Sequence, residues 1–182
     1  GTTATINVTK ATPTITWATP SSIVAGTLLS GTQLNASANA IYNSVNTPVA
    51  GTFTYTPVSG TQVTLAGTST LSTDFTPTDT ANYNSVNGTT VVLTTVPGPI
   101  SQIELAASPT SLDITSASTL TVTGKDQYGN VVTNNSTTPV ILSVDNGALA
   151  TTRLTLTSGA KTTTLSRSSA GASIVNAFTV LS

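Results

Sequence analysis

The chain has 182 residues, of which 6% are charged and 4% aromatic, and it carries a formal net charge of −1 with no His, Cys or Met. The missing His and Cys remove the commonest general base, the thiol nucleophile and the preferred ligands of zinc, copper and iron. Five Lys and Arg residues cannot form the basic surface that attracts nucleic acid or an anionic membrane. We therefore expect no enzyme activity, no cofactor, no nucleic-acid partner and no membrane insertion.

Threonine is the most abundant residue, and β-branched residues favour the pleated, half-buried surfaces of strands. The 37% of hydrophobic residues come without the high net charge of disordered chains, so the chain is expected to fold. Without cysteine there are no disulfides, and each core must be stabilised by packing alone. The composition thus predicts an all-β protein, and the length allows one domain or two.

Alternation of polar and apolar residues with period two predicts strands that bury one face. Four segments of the first half show it, at residues 14–17, 52–56, 69–75 and 90–94. Clusters of Pro, Gly, Asn and Ser separate them at the spacing expected of a sandwich or small barrel. Asn87-Gly88 stands between two such runs and predicts a type I′ hairpin.

The clearest domain boundary is Val96-Pro97-Gly98-Pro99, because two prolines around a glycine cannot continue a strand ladder. We predict a linker at residues 97–99 between domains at 11–96 and 100–182. Six strands are predicted in the second domain, at residues 100–107, 118–124, 140–144, 152–157, 162–166 and 172–180. No window shows helical spacing of apolar residues, so both halves are predicted to be all-β with about seven strands each.

The N-terminal segment resembles a strand of the chain's own first half. Residues 1–9 align with residues 88–96, and each stretch precedes the Pro-containing start of a predicted domain. Three interpretations stay open. The segment is the last strand of a preceding domain in a longer array, or it completes the sheet of a neighbouring molecule, or the likeness reflects Thr-rich composition alone.

Five motifs of the first half resemble the tandem immunoglobulin-like (Big-type) repeats of large bacterial and archaeal surface proteins. They follow one another at residues 11–20, 26–29, 33–36, 51–57 and 75–83. Residues 37–46 depart from the pattern, since this connection is longer than usual and repeats the sequence Tyr-Asn-Ser-Val-Asn, found again at residues 83–87. The strand pairing of this insertion is left open.

The second half is similar to the immunoglobulin-like domains of the invasin and intimin type. The resemblance rests on residues 122–132, which end a strand in an Asp-x-Tyr-Gly-Asn turn. It implies an all-β fold of two tandem immunoglobulin-like β-sandwiches, and an extracellular, cell-surface location. Modules of these families mostly act as stalks, spacers or lattice units, so the implied partners are neighbouring copies or adjacent domains of the same kind.

The candidate site residues favour structural roles over chemical ones. Asp79-x-Ala81-x-Tyr83 resembles a tyrosine corner, in which the hydroxyl bonds back to the upstream chain. Trp17 is predicted to anchor a core, with a sugar-stacking platform as the alternative. Asp126 and Asp145 are calcium candidates, but each precedes a glycine turn that favours such residues on backbone grounds alone. Those glycines are Gly129 and Gly147.

Five Asn-x-Ser/Thr sequons mark candidate glycosylation sites, a number that chance alone produces in so Ser/Thr-rich a chain. They lie at Asn7, Asn35, Asn87, Asn134 and Asn135. The predicted function is that of a structural, non-catalytic segment of a secreted or cell-surface protein, such as the stalk of an adhesin or a surface-layer unit. One alternative is a self-assembling filament or lattice subunit that uses residues 1–9 for strand addition. The other is a glycan- or receptor-binding module, which would expose aromatic residues at the sandwich tips.

Overall fold

The computed structural model describes residues 1–134 and 137–179, and every regular element within them is a β-strand. The chain divides into two compact units, the first ending at Thr95 and the second beginning at Val96. The predicted all-β class is therefore confirmed. No helix in the described residues is long and apolar enough to cross a membrane.

All residues of the first unit are described, and nine strands begin in it. They are β1 (Thr14–Thr16), β2 (Ile23–Val24), β3 (Thr27–Leu28), β4 (Ser37–Tyr42), β5 (Val45–Pro48), β6 (Gly51–Thr56), β7 (Gln62–Val63), β8 (Gly67–Pro77) and β9 (Val86–Val96). One sheet has the order β1-β4-β5, the other has the order β2-β9-β8-β6, and β3 pairs with β7. The buried core combines Ile23, Leu71 and Leu93 of the four-stranded sheet with Trp17, Leu29 and Leu34 from segments between strands.

The insertion whose pairing the sequence left open is a β-hairpin. Strands β4 and β5 pair antiparallel from Asn39 opposite Pro48 to Tyr42 opposite Val45. Asn43 and Ser44 form the two-residue turn with φ of 48° and 64°, and positive φ at both positions is what a type I′ turn requires.

The hairpin predicted at Asn87-Gly88 is wrong, because both residues lie inside β9. Here the register against β8 shifts by one residue, so that Asp74 faces two residues of β9 instead of one. Gly88 adopts φ of 72°, and its N–H donates to the Asp74 carboxylate at 2.7 Å. The dipeptide therefore makes a β-bulge, which uses the same left-handed backbone conformation as a tight turn.

Seven strands of the second unit lie in its described residues. They are β10 (Gln102–Ser108), β11 (Ala117–Lys125), β12 (Pro139–Val144), β13 (Ala148–Leu149), β14 (Arg153–Thr155), β15 (Ala160–Ser166) and β16 (Val175–Thr179). All six predicted strand regions contain a strand, and Val180, the last residue of the sixth, lies outside the described residues. The core consists of Val122, Val140, Leu142, Leu154 and Leu156, with smaller contributions from half-buried neighbours.

The strand orders of this unit are those of an immunoglobulin-like sandwich. One sheet has the order β10-β11-β15-β13, which matches strands A, B, E and D of that fold, and the other has the order β14-β12-β16. Strands β12 and β16 take the places of C and F. Because β10 and β16 each end their sheets, both have one edge that no described strand pairs with.

Residues 1–10 are exposed and pair with no described strand. The apolar side chains within them are nearly free of contact, with 85% of Ile6 and 92% of Val8 accessible to solvent.

We predict that Gly51→Ala destabilises the first unit by about 1–3 kcal/mol, the usual cost of forcing an extra methyl group into a packed site. A Cβ at this position would clash with the Thr76 carbonyl oxygen and would lie 2.5 Å from the ring of the buried Phe75. Urea unfolding followed by the fluorescence of the single Trp17 measures this unit selectively. Gly31→Ala is the matched control, since nothing lies within 4 Å of its Cβ, and equal losses in both variants would contradict the packing seen here.

Candidate functional site

Each of the five aspartates accepts a hydrogen bond from a backbone N–H group. Asp74 binds the bulge in β9, and the other four bind turns or loops. The bonds run from Ala81 and Asn82 to Asp79, from Thr115 to Asp113, from Tyr128 and Asn130 to Asp126, and from Ile174 to Asp145. The sixth acid, Glu104, forms an ion pair with Lys125 across β10 and β11. The carboxylates thus stabilise the fold through contacts within the chain.

Asp126 is the most completely enclosed of these groups, with 0% of it exposed. Its Oδ1 accepts the N–H groups of Tyr128 and Asn130, both at 2.9 Å. Its Oδ2 accepts the Gly98 N–H at 3.0 Å and the Asn130 side-chain amide at 2.9 Å. Gly129 completes the turn with φ of 85°. One carboxylate therefore fastens the turn after β11 and the chain segment before β10 to each other.

The electrostatics of Asp126 follow from this arrangement. Burial by itself raises the pKa of the carboxyl, but the hydrogen bonds from Asn130, Gly98 and Tyr128 outweigh it and hold the pKa below its ordinary value. Two acceptor positions on each oxygen are occupied by N–H donors, so this carboxylate has none left for a cation. These hydrogen bonds are those of the turn that the sequence predicted at this residue.

Asp145, the second calcium candidate, accepts the Ile174 N–H at 2.7 Å and so joins two loops of the second unit. Gly147, two residues further on, has φ of 115°. Across residues 1–134 and 137–179, no three acidic side chains come together as a metal site would need.

The Asp79 turn joins the start of the first unit to the segment before β9. Hydrogen bonds from the side chain of Asn82 and from the backbone of Asn82 and Ala81 keep the pKa of Asp79 below its ordinary value. Tyr83 forms a backbone bridge with Ala11, whose N–H donates to the Asn82 carbonyl at 2.9 Å. The contact expected of a tyrosine corner, between a hydroxyl and a distant backbone group, is made by another residue, since Tyr55 accepts the Ala36 N–H at 2.9 Å.

Trp17 belongs to the core of the first unit, with 9% of it exposed. Its indole N–H donates to the Gln33 carbonyl at 2.9 Å, and its ring meets the edge of Tyr55 at a centroid distance of 5.3 Å. A buried ring has no free face for a sugar, so the alternative of a stacking platform is wrong for this residue.

The sequon asparagines Asn7, Asn35, Asn87 and Asn134 are exposed, and Asn135 lies outside the described residues. Exposure is necessary for glycosylation, so these four stay candidate sites. Modification itself remains a prediction.

The sequence did not predict a cavity of about 740 Å³ in the second unit. Its walls are mostly apolar, with Leu105, Leu120, Leu165 and Val175 among them, and Arg167 is its basic residue. Period-two patterns predict which strand residues face inward but cannot show that a cavity lies beside them. The Nε and Nη2 atoms of Arg167 are buried without a hydrogen-bond partner among the described residues.

No protein-family model and no curated protein sequence matches the chain. Among solved structures, the D00-D0 domain of intimin matches with a TM-score of 0.43 and 21% identity, over 71% of this chain and 71% of that one. The D0-D1 domain of intimin matches with a TM-score of 0.34 and 16% identity, over 78% and 80% of the two chains. A glycosyl hydrolase family 2 member from Bacteroides cellulosilyticus matches with a TM-score of 0.43 and 17% identity, over 65% of this chain but 18% of the hydrolase.

The chain is thus an all-β protein of two tandem immunoglobulin-like sandwiches, and its architecture is defined by its own strand orders. It resembles immunoglobulin-like bacterial domains of the intimin type, the resemblance that residues 122–132 predicted.

We predict that acid weakens the second unit through Asp126. Because its folded pKa lies below the unfolded value of about 3.9, the stabilisation is complete above that pH and is lost as the pH falls through the folded pKa. Asp126→Asn should lower the stability of this unit at pH 7 by about 1–3 kcal/mol, because an amide NH2 then faces N–H donors. It should also flatten the decline below pH 4, as measured by calorimetry.

Asp113→Asn is the control for this experiment. The Thr115 and Ser116 hydrogen bonds also hold the pKa of Asp113 low, but this carboxylate is exposed and binds only its own turn. A decline below pH 4 that Asp126→Asn leaves unchanged would contradict the role given to the buried carboxylate.

Proposed function

We propose that the chain is a structural, non-catalytic segment of a bacterial cell-surface protein, in which two immunoglobulin-like sandwiches act as a stalk or spacer. The observation that carries the proposal is the use of every aspartate as a fastener of turns, bulges or loops. An enzyme or a metal-dependent adhesive site would keep some of these carboxylates free to meet a ligand.

Two further features support a mechanical role. Long antiparallel ladders run through both units, such as the pairing of β8 with β9 and of β10 with β11. Five Lys and Arg residues give trypsin-like proteases few places to cut. The resemblance to intimin-type domains supports a surface location.

In a stalk made of two sandwiches, each unit should unfold separately under a pulling force. When the chain is stretched by its ends in a force experiment, we predict two unfolding events, each lengthening the chain by about 300 Å, because each unit releases roughly 90 residues of about 3.5 Å. In the Gly51→Ala variant, only one of the two events should shift to lower force.

A gradual extension without discrete events would contradict the mechanical role. Labelling of intact source cells by an antibody raised against the chain tests the location separately. Labelling that appears only after the cells are made permeable would contradict a surface position.

A receptor- or glycan-binding role is a second candidate, favoured by the tip of the β4–β5 hairpin. Ile41, Tyr42 and Val45 adjoin its turn, and 71%, 67% and 61% of these side chains are exposed. An aromatic residue among aliphatic neighbours on a protruding hairpin is a common form of binding surface.

If this tip binds a ligand, Tyr42→Ala should lower attachment of the purified chain to host cells or to a glycan array by tenfold or more without changing its unfolding midpoint. Val92→Ala is the matched control, because Val92 is 50% exposed and lies in β9. Attachment that is undetectable in the unmodified chain would eliminate this candidate.

A further inference from the structure

The chain contains two Asn-Gly dipeptides, at residues 87–88 and 146–147. In this dipeptide the backbone nitrogen of the glycine can attack the side-chain amide carbon of the asparagine, because glycine has no Cβ to block the approach. The attack forms a five-membered succinimide ring within the chain, so its rate depends on how the fold holds and surrounds the reacting groups. Both asparagines are exposed, but the fold gives their peptide units opposite surroundings.

At residues 87–88 the surroundings disfavour the reaction. Both residues lie inside β9, and the Gly88 N–H donates to the Asp74 carboxylate at 2.7 Å. The reaction needs this proton to be lost, and the charge left on the nitrogen would then face a carboxylate. Pairing of β9 with β8 on both sides of the bulge also restrains the backbone. Asn87 is therefore protected.

At residues 146–147 the surroundings favour the reaction. These residues lie in the turn between β12 and β13, outside any strand. The carbonyl oxygen of Asn146 accepts the Ser173 hydroxyl at 2.5 Å. This oxygen belongs to the same peptide unit as the Gly147 nitrogen, so it shares the negative charge when that nitrogen loses its proton. A donor already directed at such an oxygen stabilises the charge, as the donors of an oxyanion hole do.

Arg167 strengthens this donor. Its Nη1 donates to the Ser173 hydroxyl oxygen at 2.9 Å, and the hydroxyl in turn donates to Asn146. A positively charged donor polarises the hydroxyl, because hydrogen bonds in a chain strengthen one another. The same Nη1 donates to the Gly171 carbonyl at 2.6 Å and to the Ala172 carbonyl, which fixes the guanidinium beneath the loop.

Two further bonds hold the turn against the loop that carries Ser173. The Asp145 N–H donates to the Ile174 carbonyl at 3.2 Å, and the Asp145 carboxylate accepts the Ile174 N–H at 2.7 Å. They keep Ser173 beside the Asn146 carbonyl, whereas Asn146 itself is exposed. The donor is thus preorganised, and water can reach the amide that reacts.

We propose that Asn146-Gly147 is a site of self-modification, at which the fold promotes conversion of Asn146 to aspartate and isoaspartate. The Gly147 nitrogen gives its proton to hydroxide and forms a bond to the Asn146 amide carbon. The bond from that carbon to the amide nitrogen breaks, and the nitrogen leaves as ammonia with a proton from water. A second water molecule then opens the ring at either carbonyl.

The product weakens the turn in two ways. Either form adds a carboxylate next to Asp145, and like charges repel. Isoaspartate also adds a methylene group to the backbone, which displaces the carbonyl that Ser173 contacts. The inference goes beyond the stalk role, because it gives the second unit a built-in limit on its lifetime.

The test follows both dipeptides in one sample of the full chain. During incubation at mildly alkaline pH, peptide mapping by mass spectrometry detects the mass gained when each amide becomes an acid. In the folded chain, Asn146 should convert at least about tenfold faster than Asn87. In concentrated urea, where the fold no longer distinguishes the two dipeptides, their rates should agree to within about threefold.

Substitutions identify the groups responsible. Ser173→Ala should slow conversion of Asn146 about tenfold, less than the loss of an oxyanion-hole donor costs an enzyme, because solvent partly replaces the hydroxyl. A merely structural Ser173 would have the opposite effect, since a loosened turn reacts faster. Ser169→Ala, at an exposed serine of the same loop, is the matched control and should leave the rate unchanged. Asp74→Ala frees the Gly88 N–H and should speed conversion of Asn87 alone.

Three outcomes would overturn the proposal. The first is a folded chain in which Asn146 converts no faster than Asn87. The second is a preference for Asn146 that persists in urea, which would assign it to neighbouring residues in the sequence. The third is a Ser173→Ala variant whose Asn146 converts as fast as in the unmodified chain, or faster. None of these results affects the force experiment on freshly purified protein, so the stalk role is judged separately.

Discussion

Backbone pairing at the edges of the sheets is the constraint on which this protein depends. Every strand has N–H and C=O groups along both of its edges, and buried groups of this kind must find partners. In the first unit, β9 pairs with one edge of β8 and also with β2, which extends the sheet. In the second unit, β11 pairs with β10 and β15, and β12 pairs with β14 and β16, so the core between the two sheets is flanked by paired strands.

The unusual composition also affects how the turns are stabilised. With 6% of residues charged, few ion pairs can stabilise the fold. The carboxylates are instead directed at backbone N–H groups, where a charge-assisted hydrogen bond is stronger than a neutral one. Asp126 shows this most clearly, because one buried side chain satisfies donors from three residues.

Local sequence could not decide what the Tyr-Asn-Ser-Val-Asn repeat does. At residues 42–46 it forms the tight turn of the β4–β5 hairpin, with Asn43 and Ser44 at positive φ. At residues 83–87 the same five residues begin with a bridge to Ala11 and run into β9. The pentapeptide tolerates both conformations, and the segments that pair with it determine which one it adopts. For the same reason, the sequence predicted a left-handed backbone conformation at Gly88, which Asn-Gly favours, but it did not predict that this conformation forms a bulge.

The sequence by itself determined the strand class, and it predicted two halves and aspartate-glycine turns, because alternation and turn chemistry act within a few neighbouring residues. It also indicated that Trp17 anchors a core and that Asp126 serves a turn. Only the tertiary structure decided that Asp126 also holds Gly98, 28 residues away, and that Tyr55 makes the hydroxyl contact expected of Tyr83. These features depend on which distant segments meet, and that is fixed by the pairing and packing of the whole sandwich rather than by any stretch of its sequence.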